Sequence, residues 1–190
     1  TFGGGIPFGK ILEVAGEESS GKSLIAYNFA YTTQQLGGHV IWVDAEQAWM
    51  NSWAQENGVD PNGVTVIRDT RIENIADALA DVAIYWRSQL THNEPILLVV
   101  DSIAAMDCAD NIDSKMVDGK SEMGGRAKAL YKFFRIRSEL FYKLGITQIY
   151  INQLRTALNV GFGKDNTCLH YDTIIPFVDG TSMKIGEIIK

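Results

Sequence analysis

Short unbroken apolar runs alternate with longer stretches in which apolar residues recur every three or four positions. The run at 11–15 is bounded by Gly9 and Gly16, and runs of the same kind occupy 39–44, 64–67, 96–100 and 146–151. These read as strands. Between them, 22–36 reads as a helix that stops at Gly37-Gly38, and 49–57 as a short helix ending before Gly58. Residues 72–90 carry Ile72, Ile75, Ala76, Leu79, Val82 and Ala83 at helical spacing, and 123–144 reads as a long helix. Strands that are apolar on both faces, alternating with helices, predict an α/β fold. Its mostly parallel sheet is covered by helices on both faces. Residues 107–121 read as polar and irregular, and 154–167 as a loop. After Cys168 the character changes: 173–178 and 183–189 flank Asp179-Gly180, a hairpin signal, and no further strand–helix–strand unit follows.

Composition narrows the class. At 190 residues, 46% apolar and 21% charged, the chain suits one ordinary domain with a real core. No stretch reaches the roughly 18 apolar residues of a membrane helix. The longest candidate, 96–100, is cut by Asp101. The opening Thr1-Phe2-Gly3-Gly4-Gly5 lacks the features of a signal peptide. Cys108 and Cys168 form no metal or redox pair, and His39, His92 and His170 do not cluster, so a reducing, cytoplasmic setting without membrane contact is expected. The net charge of −6 has the wrong sign for nucleic acid, so any such contact must come from a local basic surface.

Gly16-Glu17-Glu18-Ser19-Ser20-Gly21-Lys22-Ser23 fits G-x-x-x-x-G-K-[ST], with a strand before it and a helix after. Gly16 and Gly21 let backbone N–H groups turn inward around phosphate oxygens, and the helix N-terminus adds partial positive charge. Lys22 would reach the outer phosphates and Ser23 would ligate Mg²⁺, which makes ATP and Mg²⁺ the expected cofactors. The plainer reading, a glycine-rich turn with an incidental lysine, does not account for the flanking pattern. Asp101, followed by Ser102, ends a buried strand, where an acid can hold Mg²⁺ or its water. Otherwise it is only a helix cap.

Five collinear blocks carry a resemblance. Gly4-Gly5-Ile6-Pro7-Phe8-Gly9-Lys10, the loop 16–23, Val43-Asp44-Ala45-Glu46, Val99-Val100-Asp101-Ser102 and Ile151-Asn152-Gln153-Leu154-Arg155 resemble the bacterial RecA recombinase core and its phage UvsX relatives, over residues 3–167. The resemblance implies a phosphate-loop (P-loop) NTPase core in a bacterial or phage-infected cell. When complete, such a protein is a DNA-dependent ATPase that forms a homo-oligomeric filament on single-stranded DNA. Glu46 matches the glutamate that polarises the attacking water, a general-base role. Gln153 matches the glutamine that senses the γ-phosphate. Trp53 falls where the family stacks an aromatic on adenine, but the family's nearby acid is replaced by Met50. Residues 111–121 match the first DNA-binding loop, and Leu154 begins the second. Met123 and Leu158 match residues that wedge between base triplets, Lys128 and Arg135 match phosphate contacts, and Arg155 joins the DNA-contacting set. Independently, Lys128, Lys132 and Arg135 share one helical face, a stripe suited to phosphate or an ordinary solvated face.

At Thr167 the recombinase pattern stops. Cys168-Leu169-His170-Tyr171-Asp172-Thr173-Ile174-Ile175 resembles the opening block of an intein, and 179–188 resembles its next strands. In such proteins the first cysteine attacks the preceding carbonyl, here that of Thr167, and turns the amide into a thioester. The expected organisation is thus a truncated recombinase core at 1–167 and an intein N-terminal fragment at 168–190. The T-x-x-H block and terminal His-Asn of inteins are absent. A split intein completed by a partner half is preferred to the first part of a longer one. The isolated chain is expected to show little DNA-stimulated ATPase activity, because its sheet ends early with an unpaired edge. The competing reading is a stand-alone ATPase module of helicase-like or clock-like type, whose hairpin is an ordinary end.

Overall fold

The computed structural model describes residues 6–113 and 124–154, together with two short strands within 174–184. By its contacts the chain divides into Ile6–Gln153 and a second unit containing Leu154–Lys190 with Thr1–Gly5. The first unit holds a five-stranded sheet of β1 (Ile11–Gly16), β2 (His39–Asp44), β3 (Val64–Ile67), β4 (Ile96–Asp101) and β5 (Ile146–Gln153). The order is β1-β5-β4-β2-β3, and every pairing is parallel. The helices are α1 (Lys22–Gln35), α2 (Asn51–Glu56), α3 (Ile72–Gln89), α4 (Ala109–Asp113) and α5 (Gly125–Lys143).

The period of two along each strand sorts the core into two layers. Val40 and Trp42 of β2, Leu97 and Val99 of β4, and Ile149 and Ile151 of β5 pack against Ala26, Tyr27 and Ala30 of α1. Their neighbours Ile41, Val43, Ile96, Leu98, Val100, Ile146 and Tyr150 pack against Ile75 and Leu79 of α3 and Phe133 and Phe141 of α5. The sheet is therefore covered on both faces, as the solid apolar runs predict. The central strands β2 and β4 are almost wholly buried, whereas β1 alternates exposed and half-buried residues, as an edge strand does.

Register brings the chemistry to one end. Asp44 stands beside Asp101, and Gly16 beside Gln153, all at the carboxyl ends of parallel strands. Ligands bind at that end of open α/β sheets, because the loops and helix N-termini open there.

Two local readings are corrected. The helix expected over 49–57 begins only at Asn51, and Trp49 instead is buried against Tyr27 and Trp42. Asp44 causes this: its Oδ1 accepts from Ala48 N at 2.8 Å and its Oδ2 from Trp49 N at 3.1 Å, which holds the chain extended. Within the stretch expected to be irregular, α4 forms. Asp107 Oδ1 accepts from Cys108 N and from Asn111 Nδ2, each at 2.8 Å, and Glu73 of α3 accepts from Ala109 N at 3.0 Å. The bond to Glu73 is a tertiary contact that local polarity cannot announce. The long helix starts at Gly125 rather than at 123, behind Gly124 at φ 102°, a left-handed conformation that glycine adopts without strain.

In the second unit, β6 (Ile174–Pro176) and β7 (Ser182–Lys184) pair antiparallel, with Ile174 opposite Lys184 and Pro176 opposite Ser182. The pairing centres on residue 179, where the Asp-Gly signal lies.

Candidate nucleotide site

β1 delivers Gly16 to the sheet's edge and the chain turns through 17–21 into α1. Gly21 supplies the turn at φ 84°, and Ser19 is left-handed at φ 60°, a conformation costing a side-chain-bearing residue roughly 1 kcal/mol. A Cβ on Gly16 would sit 2.8 Å from Ser20 Oγ, so the loop closes tightly only around glycine. Lys22 folds back over the loop, and its Nζ donates to Glu17 O at 2.5 Å. Backbone donors, an ammonium group and a helix N-terminus thus converge on one point, the requirements for holding phosphate.

The acids come from two neighbouring strands. Ser23 Oγ donates to Asp101 Oδ2 at 2.8 Å. Burial pushes the Asp101 carboxyl above the usual carboxylate range. The Ser23 hydrogen bond pulls it back, the Glu46 and Asp44 charges push it up again, and Lys22 opposes them. A hydroxyl beside an under-neutralised carboxylate is the hard-oxygen pair that Mg²⁺ takes when phosphate and water complete its shell. The residues present therefore fit that ion. Asp44 itself is 2% exposed and is further approached by Arg68 Nε at 3.4 Å, so it holds the turn together.

Glu46 lies just past β2. Its Oε1 accepts from Gln153 Nε2 at 2.7 Å and also from Ser102 Oγ. Both donors thus share one oxygen of the carboxylate. That cavity, of about 350 Å³, is lined by the loop from Glu18 to Leu24 and by Glu46, Trp53, Asp101 and Gln153. A second cavity of about 230 Å³ adjoins it, sharing Ser23, Trp53 and Asp101 and walled by Tyr27, Trp42, Trp49 and Met50. Burial, with Asp101 and Asp44 adding to it, pushes the Tyr27 hydroxyl up to about 12.

The structure thus brings Lys22, Ser23, Glu46, Trp53, Asp101 and Gln153 to the lining of one cavity. Three contributors went unassigned in the sequence. Ser102 orients Glu46, Asp44 fixes the turn that aims it, and Tyr27 walls the second cavity. The Asp-Ser pair was visible, but nothing local says that its serine reaches a residue 56 positions away. Lys128 and Arg135, with Lys132, are exposed along α5, and the Arg135 guanidinium lies 5.8 Å from the Tyr131 ring centre. Met123, Arg155, Leu158, Thr167 and Cys168 lie outside the described residues.

A parallel sheet with a glycine-lysine-serine loop ahead of its first helix and an acid at the end of an inner strand defines a phosphate-loop α/β domain. Within that class, the chain belongs to the RecA N-terminal domain family, whose profile matches residues 2–183. It is 33% identical over 187 residues to Protein RecA of Mycobacterium leprae, covering 98% of this chain and 24% of that one. Protein RecA of Corynebacterium jeikeium is 35% identical over 164 residues, 86% of this chain and 41% of that one. Protein RecA of Clostridium beijerinckii is 36% identical over 167 residues, with 86% and 43% covered. The chain therefore spans from about a quarter to under half of these relatives. Among the described residues, no helix is long and apolar enough to cross a membrane.

Proposed function

We propose that this chain is the N-terminal part of an ATP-dependent homologous recombinase acting on single-stranded DNA, interrupted after Thr167 by the start of an intein. One observation carries the first half of this reading. Gln153, at the end of β5, holds Glu46 from β2 at 2.7 Å beside the phosphate loop and the Ser23–Asp101 pair.

Lys22 leaves Glu17 O for the phosphate, a stronger charge-assisted partner. Ser23 and Asp101 would hold Mg²⁺, which when bound neutralises and polarises phosphate oxygens. Glu46 accepts the proton of a water. The Gln153 amide has two N–H donors, so with one on Glu46 the other is free to reach a γ-phosphate, which would tie the nucleotide to the end of β5. Arg155 and Leu158, assigned to DNA contact, follow directly in sequence. Ser102 holds the same carboxylate from a second direction, which makes it a positioning residue. Lys128 and Arg135 would meet the DNA backbone, and filament formation would place many copies along one strand.

The intein half rests on two supports. The resemblance to the recombinase core stops at Thr167, and a cysteine follows. The match to the Mycobacterium leprae relative covers 98% of this chain against 86% for Corynebacterium jeikeium, so it takes in more of the chain. In this reading the Cys168 sulfur attacks the Thr167 carbonyl carbon. A C–S bond forms, the C–N bond breaks, and the nitrogen leaves as the α-amine of Cys168. A partner chain would supply the remaining intein and recombinase. One observation favours the stand-alone reading: the family match runs through residue 183, across the junction.

Mixing the chain with a candidate C-terminal half separates the two. Ligation that Cys168→Ala abolishes is expected, and ligation that survives this substitution sinks the intein. The ligated product should hydrolyse ATP faster with single-stranded DNA, with a steep loss as salt rises. A product indifferent to DNA returns the stand-alone ATPase.

A further inference from the structure

The chain leaving β4 is gripped at both ends. At its start, Asp101 O accepts from Ala45 N at 2.9 Å and from Glu46 N at 3.3 Å, and the buried Ser102 donates through Oγ to Glu46 Oε1. One residue further on, the hold passes to α5. Arg126 Nη2 donates to Ile103 O and its Nε to Met106 O, each at 2.8 Å. A guanidinium is a planar fork of fixed geometry, so two carbonyls three residues apart fix its place and their own. Arg126 is the second residue of α5 after the Gly124 cap. A cation there opposes the helix dipole, a cost that the two charge-assisted contacts offset.

Between the two grips the segment is short and closed. Ala105 N donates to Ser102 O and Met106 N to Ile103 O, each at 3.1 Å, which makes a single turn over Ile103–Ala105. Beyond it, Asp107 N donates to Thr70 O at 2.8 Å and Ile72 N to Asp107 O at 2.9 Å, so the start of α3 holds the far side. The start of α5 is packed closely as well, since a Cβ on Gly125 would stand 3.1 Å from Cys108 Sγ. A shift of α5 must therefore pull on Ile103, the neighbour of the serine that aims Glu46. The outer face of α5 carries the exposed Lys128, Lys132 and Arg135.

We propose that Arg126 is a positioning residue for Glu46. It locks the chain after β4 to α5, so that filling the nucleotide site is felt at the start of α5, and a ligand held on α5 is felt at Glu46. Linkage makes the two effects reciprocal. The inference rests on the nucleotide-site reading above and names a residue through which that site is regulated.

Hydrogen exchange on the 190-residue chain tests it, with and without Mg²⁺ and a non-hydrolysable ATP analogue. The analogue should slow exchange at 22–26. It should also slow exchange at 128–132, in the first turns of α5, by about fivefold, the low end of ordinary coupling between sites. Arg126→Met keeps the stem and removes the fork. It should leave analogue affinity and the protection at 22–26 intact, while the analogue no longer slows exchange at 128–132. Arg126→Lys keeps the charge and reaches one carbonyl at a time. It should retain part of the effect, and it carries the comparison if the methionine variant unfolds. A residue that only docks α5 would, on substitution, raise exchange at 128–132 and leave the analogue's effect there undiminished. That result in either variant overturns the inference. So does a wild type protected at 22–26 and unchanged at 128–132, which leaves the phosphate site standing. Absence of protection at 22–26 in the wild type removes the nucleotide site itself, and the inference with it.

Discussion

The two ends of the parallel sheet both bury polar side chains, in opposite electrical states. At the carboxyl ends, Asp44, Asp101 and Glu46 crowd three carboxylates around two adjoining cavities, and the burial of Asp101 is opposed only by Ser23 and Lys22. At the amino ends of β2 and β3 the polar groups are neutral. His39, 5% exposed, stacks on Trp86 at 3.5 Å between ring centres, and its Nε2 meets Thr65 Oγ1 at 2.8 Å. Trp86 Nε1 donates to the same hydroxyl at 3.0 Å. Burial pushes the His39 imidazole down to about 4. One end concentrates charge, and the other excludes it, with His39 and Thr65 packed against Trp86 of α3. A buried polar residue therefore says little by itself. Its electrical state separates a site from a seal.

The largest expected effect breaks the first end. Lys22→Ala should weaken triphosphate binding by at least about a hundredfold, because a charge-assisted phosphate contact is lost in a half-enclosed loop. Titration with labelled nucleotide checks this, and retention of affinity would deny the loop its role.

At the other end, pH is the probe. The native His39 is neutral, and its imidazole pKa lies below the ordinary 6.5. Between about pH 6.5 and about pH 4 the unfolded chain binds a proton that the native chain refuses. Stability should fall as pH drops through this window, by at most about 3 kcal/mol, and stop responding to His39 below it. Urea unfolding of the wild type and His39→Gln reads the difference. Equal slopes for both would show that the imidazole is not sealed.

The smallest effect sharpens the contrast. Asp101→Asn keeps an oxygen for Ser23 and removes one of the crowded charges. It should stabilise the nucleotide-free chain at neutral pH by about 1 kcal/mol while abolishing the Mg²⁺ dependence of nucleotide binding. Thermal unfolding with and without Mg²⁺-nucleotide separates the two consequences. A destabilised variant would mean that the carboxylate is structural.

Much of this was legible along the chain. The loop 16–23 was legible from residue types at fixed spacing, since a phosphate-binding turn is largely backbone geometry and one lysine. The strands were legible because burial on both faces demands unbroken apolar runs, and the strand read at 64–67 matches β3. The extended path of Trp49 was not, because it follows from Asp44 capturing two backbone N–H groups. The short helix at Ala109–Asp113 was not, because Glu73 supports it from another helix.

By itself the sequence determined the fold class and the presence of a phosphate loop, an acid at the end of β4, and Glu46 and Gln153 as candidate partners. Local periodicity and short-range spacing encode those features. Only the tertiary structure decided that Gln153 and Ser102 share one oxygen of Glu46, that Trp53 and Met50 border the same cavity, and that His39 is sealed beneath Trp86. Apart from Trp53 and Met50, those contacts join residues far apart in sequence. Their distances are set by strand order, register and helix packing, which no single segment contains.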